Sequence, residues 1–275
     1  MTNDALPIQP PSLLPPLLAQ PHPPSVWAAV GLVGLYLTLQ AAFAGAVLGA
    51  VALIQHAGRA TDMVTPAGNG MTSVLRQPGT LAAATIASVC CAALLVVWLV
   101  YRRWPRLWAR AAPPGFGVTP PTHLRWLIAA LLVGGLLPLL GSVLTQLLAH
   151  GHEIPQDIEQ LTRNAPLVWR IVLAVMAISL GPLVEELLFR GMLLSALLSR
   201  CGTPLAAILS AAGFATIHLP GLQWQWYALP QLILLGVALV WLRLRYRSLW
   251  PAVVAHGTHN ALALTAWFFA LTPPG

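Results

Sequence analysis

The chain predicts an all-α polytopic integral membrane protein, a bundle of seven to eight transmembrane helices. Three observations predict it: 57% hydrophobic and only 8% charged residues, a mean hydropathy of +0.76, and arginines gathered on alternate connections between apolar runs. A soluble domain normally carries about 25% charged residues. The formal charge of +7 comes entirely from Arg, because the chain contains no Lys. In a membrane protein a basic excess reports loop topology, so no nucleic-acid partner is expected. Cys90 and Cys91 are adjacent in an apolar run and Cys201 stands alone. No spacing among them resembles a thiolate metal site or a disulfide framework, and they read as small packing residues.

Taken in order, residues 1–25 are proline-rich and hold one acid and no Lys or Arg, so they lack the positive stretch of a signal peptide. They read as a disordered, uncleaved cytoplasmic leader. Residues 26–165 read as amino-terminal transmembrane helices without motifs, with spans at about 26–55, 80–101 and 125–149. In the first, Tyr36, Thr38 and Gln40 interrupt the apolar run. Each span is long enough for a hydrocarbon core of about 30 Å at about 1.5 Å per residue. Residues 166–272 hold all the chemistry. Leu167 to Ser199 is too long for one straight span, and Gly181-Pro182 near its middle predicts a kink. Further spans follow at about 203–218, 229–242 and 249–270, and there is no internal repeat.

Orientation follows from the arginines. Arg102, Arg103, Arg106, Arg110 and Arg125 crowd one connection, which is therefore assigned to the cytoplasm. Counting spans from there puts Arg200 and the Arg243, Arg245, Arg247 cluster on the same side, and the amino terminus in the cytoplasm of a cell (inner) membrane protein. Arg59, Arg76 and Arg163 fall opposite.

Glu185 and Glu186 are the only acids within the apolar segments; Asp4, Asp62, Glu153, Asp157 and Glu159 sit in polar stretches. An ionisable side chain at bilayer depth costs at least ~2.5 kcal/mol, so two in succession point to function. On a helix, residues four apart share a face, so Glu186 points at Arg190 and Glu185 lies about 100° away, toward Phe189. The expected ion pair is Glu186–Arg190. Glu185 is left without a local partner, the position of a candidate general base. The competing reading is a buried charge cluster that only locks helices together.

Two further constellations bear on that choice. Phe214 and His218 lie four apart at the end of one span, and His256 and Asn260 lie four apart near the start of the last, with His259 close to the same face. One tension follows. If the two helices carrying His218 and His256 began at equal depth, the histidines would stand about ten residues apart along the bilayer normal, or ~15 Å. Either the depths are staggered or the segment around Trp224, Trp226 and Tyr227 is re-entrant or interfacial.

These residues, EExxxR at Glu185, Glu186 and Arg190, FxxxH at Phe214 and His218, and HxxxN at His256 and Asn260, resemble the three ordered motifs of the CAAX protease and bacteriocin-processing (CPBP, or Abi) family, which includes the type II CAAX prenyl endopeptidases. Glu185 to Gly191, EELLFRG, is close to the commonest form of the first motif, and the resemblance covers about residues 167–265. It implies an intramembrane endopeptidase in which Glu185 and His218 activate a water and His256 and Asn260 stabilise the oxyanion, with Glu186, Arg190 and Phe214 in support. The substrate would be a peptide or protein that is membrane-associated, prenylated or leader-bearing, and the other partner is the lipid bilayer. No cofactor is required in the favoured reading. The alternative is zinc, held by Glu185, His218 and His256, with His259 as an alternate ligand; the chain has no HExxH. Two other functions remain open from the residues: a non-catalytic immunity or partner-binding protein, and a transporter or proton relay, against which stands the absence of two similar halves.

Overall fold

The structure, a computed structural model, describes residues 22–59, 79–151 and 165–270. The leader up to residue 21 and the connections 60–78 and 152–164 lie outside the described residues, and with them the five acids assigned to polar stretches, Arg76 and Arg163. The protein is a helical membrane protein, and no strand occurs among the described residues. The helices are α1 (Val26–Arg59), α2 (Thr80–Arg103), α3 (Arg125–Ala149), α4 (Leu167–Ile178), α5 (Leu180–Glu186), α6 (Leu194–Leu198), α7 (Thr203–Ile217), α8 (Leu229–Tyr246) and α9 (Trp250–Ala270). A π-helical segment, Leu187–Leu193, joins α5 to α6, and one helical turn, Pro105–Trp108, follows α2. Among the described residues five helical stretches are long and apolar enough to cross a membrane, the α4-to-α6 rod counting as one.

The centre of the bundle is that broken rod. Every residue of the π segment is buried, and Val184, Leu187, Leu188, Phe189 and Met192 belong to the main apolar cluster. Around it α1 pairs with α2, α7 with α8, and α9 with α3. The outward faces stay apolar, for instance Ile128, Leu132 and Leu136 on α3, as lipid contact requires. With lipid outside, association gains little from hydrophobicity and depends on close packing and hydrogen bonds. Glycines supply the closeness: a Cβ on Gly134 would stand 2.3 Å from Ala255 O on α9, and one on Gly236 would stand 2.7 Å from Ala211 Cβ on α7.

The kink expected at Gly181-Pro182 is present as a break at Ser179, whose backbone leaves the helical region at φ −125°, ψ −76°. Proline has no N–H to give the carbonyl four residues back, here that of Ile178. α9 closes against this point, since a Cβ on Gly257 would lie 2.4 Å from Ile178 O.

The Arg-rich ends of α2 and α8 lie at the same end of the bundle, as the span count expects. Arg243, fully buried, donates to Ala111 O at 2.9 Å and to Gly115 O at 2.6 Å. Leu249 N donates to Gly117 O at 2.8 Å. The connection after α2 is thus tied to the turn between α8 and α9.

Gly134→Ala should lower the thermal midpoint in detergent by the equivalent of about 1–3 kcal/mol, the usual cost of overpacking. Gly135→Ala, which meets nothing within 4 Å, should leave it unchanged or raise it slightly through helix propensity.

Candidate active site

The first motif is built by the α5–π junction. Glu186 and Arg190 are fully buried, and Arg190 Nη1 donates to Glu186 Oε1 at 3.0 Å, the i, i+4 pair expected from spacing. Nη2 donates to Gly236 O at 3.1 Å, and the guanidinium carbon sits 4.4 Å from the Phe214 ring centre. A buried cation is thus met by a carboxylate, a carbonyl and an aromatic face. The same Glu186 Oε1 accepts from His256 Nδ1, also at 3.0 Å, so one oxygen joins the first motif to the third.

Glu185 points elsewhere. Its side chain is 21% exposed where that of Glu186 is 0%, and it lines a cavity of about 730 Å³ together with His218, His259 and Asn260. Its Oε2 lies 3.6 Å from His218 Nε2 and 3.8 Å from His256 Nε2. The two histidines that seemed too far apart along the bilayer therefore converge on one carboxylate oxygen, and equal helix depth does not hold. At 15 residues α7 is shorter than a crossing needs, about 22 Å against a core of about 30 Å. His218 caps its end, and two short 3-10 turns, Pro220–Leu222 and Trp226–Ala228, carry the chain onward to α8. Trp224 and Trp226 there are exposed.

Hydrogen bonds settle which ring nitrogens are left to face Glu185. His218 Nδ1 donates to Phe214 O at 2.7 Å, because a carbonyl only accepts. His256 Nδ1 donates to the carboxylate of Glu186 by the same logic. In both rings Nε2 is the atom turned toward Glu185. Phe214 is the packing hub: its ring centre is 4.6 Å from that of His218, 5.4 Å from His256 and 5.5 Å from Phe189. Ser210 Oγ donates to Phe189 O at 3.2 Å, which ties α7 to the π segment.

Asn260 reaches the rim of the cavity while its Nδ2 donates to Ala177 O at 2.8 Å. That carbonyl belongs to the last turn of α4, beside the Ser179 break, so the third motif also caps the broken rod. One of the two amide hydrogens remains. His259 is buried, lines the cavity, and its Nδ1 has no partner among the described residues.

Other wall residues come from the motif-free half. Tyr36 and Gln40 of α1 and Thr145 of α3 line the same cavity as Glu185. Their signal in the sequence was polarity inside an apolar span, legible as interruption and silent as to destination. Among the described residues, no group of three or more His, Cys, Asp or Glu is arranged to hold a metal ion.

Residues 167–262 match the family model for type II CAAX prenyl endopeptidase Rce1-like proteins. The match bears out the resemblance carried by the three motifs, and it supports a CAAX-type intramembrane protease in general. No curated protein and no solved structure matches the chain.

The Glu186–Arg190 pair yields a direct test. Arg190→Met should destabilise the protein by about 3–5 kcal/mol, the cost of removing one partner of a buried ion pair and leaving Glu186 with His256 alone. The double variant Glu186→Leu, Arg190→Met should lose less than the sum of the two single changes, as read from thermal unfolding in detergent.

Proposed function

We propose that this protein is an intramembrane endopeptidase in which Glu185 and His218 activate a water and His256 and Asn260 receive the oxyanion. The single observation that carries the reading is the convergence of His218 Nε2 and His256 Nε2 on Glu185 Oε2, at 3.6 Å and 3.8 Å, on the wall of a membrane-embedded cavity.

Those separations exceed a direct hydrogen bond and suit a shared bridging water. In the proposed step, Glu185 takes one proton from that water while its oxygen attacks the carbonyl carbon of the scissile peptide bond. His218 orients the water through the Nε2 lone pair that its Nδ1–H···O=C bond to Phe214 leaves free. The carbonyl oxygen becomes an oxyanion, met by the spare Nδ2 hydrogen of Asn260 and by His256 Nε2. To donate through Nε2 while Nδ1 donates to Glu186, His256 must carry both ring protons in this step. Glu185 then returns its proton to the departing amine as the C–N bond breaks. Each donor aimed at a developing oxyanion in a dry site contributes about 3–4 kcal/mol to the barrier reduction.

Zinc would instead be held by the Glu185 carboxylate and by the Nε2 lone pairs of His218 and His256 in neutral rings, and would supply a Lewis acid for the water and the carbonyl. The favoured reading draws its steps from the side chains alone. The substrate is a peptide or protein at the membrane, prenylated or leader-bearing. By the positive-inside rule we assign the Arg-rich end of the bundle to the cytoplasmic side of the cell membrane.

Glu185→Gln keeps the shape and removes the base, and should lower kcat about 10²–10⁴-fold with an unchanged thermal midpoint. His218→Ala should fall in the same range. Cleavage of a fluorogenic peptide at full rate in excess chelator is expected. Loss of activity on chelation, restored by added zinc, would instead assign Glu185, His218 and His256 as ligands.

A further inference from the structure

Across the cavity from the motifs stands a carboxamide that they do not account for. Gln231, in the first turn of α8, lines the same cavity as Glu185 and His218. Its Oε1 accepts from Thr145 Oγ1 at 2.9 Å, and Thr145 is buried. Beneath it lies Gly141 of α3: a Cβ there would stand 2.4 Å from Gln231 Cγ and 2.7 Å from Cδ. The side chain is thus seated where a neighbouring helix has been pared to glycine, and its oxygen is held by a hydroxyl from the same helix.

What remains is Nε2, with two hydrogens and no hydrogen-bond partner among the described residues. A clamp that only joined α3 to α8 would use both ends of the amide, and a leucine would fill the space without the cost of burying a polar group. We propose that Gln231 is a substrate-positioning residue, its Nε2 hydrogens donating to a main-chain carbonyl oxygen of a peptide lying in the cavity, with Thr145 and Gly141 fixing where the amide points. The acceptor is a neutral carbonyl and not a free carboxylate: the described residues of the cavity wall include no Arg or Lys that would meet a negative charge. The assignment rests on the endopeptidase reading and adds to it a second fixed point on the substrate, away from the bond that is cut.

The test uses the purified full chain in detergent and, from a pool of quenched-fluorescence peptides, the one that the unsubstituted protein cleaves fastest. Gln231→Ala should raise KM roughly 3- to 10-fold, the worth of one neutral hydrogen bond, with kcat changed less than about twofold. Thr145→Val, which keeps the shape and loses the hydroxyl, should raise KM in the same direction, and Thr145→Ser should restore it. A scaffold role would move the thermal midpoint and kcat and leave this KM pattern absent, which overturns the assignment. So does an unchanged KM in both Gln231→Ala and Thr145→Val while Glu185→Gln is inactive, and the role of Glu185 then stands. If Glu185→Gln cleaves at the full rate, or the unsubstituted protein cleaves nothing in the pool, the water-activating reading falls and this one with it.

Discussion

Everything in the site depends on keeping one carboxylate charged where lipid surrounds the protein. Glu186 accepts at a single oxygen from Arg190 and from His256, each at 3.0 Å, and Arg190 is itself held by Gly236 O and the face of Phe214. Such a cluster offers little net stability, because desolvation consumes most of the attraction. Its worth is positional: residues from the broken rod, α7, α8 and α9 are obliged to meet at one point. Glu185, one residue earlier and turned away from Arg190, is thereby delivered to the cavity with its own charge unspent.

The break in the rod is the second constraint. A continuous helix through Gly181-Pro182 would satisfy Ala177 O from Gly181 N–H and leave Asn260 nothing to bind, while Ile178 O stays free because Pro182 has no N–H. Broken at Ser179, it presents Ala177 O to Asn260 and Ile178 O to the glycine surface of α9. The π segment that follows is fully buried and sits directly after the two glutamates, the kind of helical irregularity that recurs at functional sites. Asn260 therefore has two duties from one amide, fixing the break and facing the cavity.

Much of this was legible in the residues. Span positions follow from apolar length, the Glu186–Arg190 pair follows from helical spacing, and the kink follows from proline chemistry; the structure agrees with each to within a few residues. The depth of His218 did not follow, because rise per residue says nothing of where a helix starts, and α7 is too short to cross. The hydrogen bonds of Asn260 and His256 were equally out of reach: 83 and 70 residues separate their partners along the chain. Gln231 and Thr145 stand 86 residues apart, and no helical spacing joins them.

By itself the sequence determined what is local and periodic: a helical membrane protein, which acid pairs with which arginine, and which residue types could do hydrolysis. It could do so because those properties depend on neighbours within one or two helical turns and on the cost of polarity in lipid. Only the tertiary structure decided that both histidines address the same oxygen of Glu185, that they do so through Nε2, and that α1, α3 and α8 complete the wall of the cavity. Those depend on helix stagger and on glycine contacts between distant segments, and no spacing within a single segment encodes them.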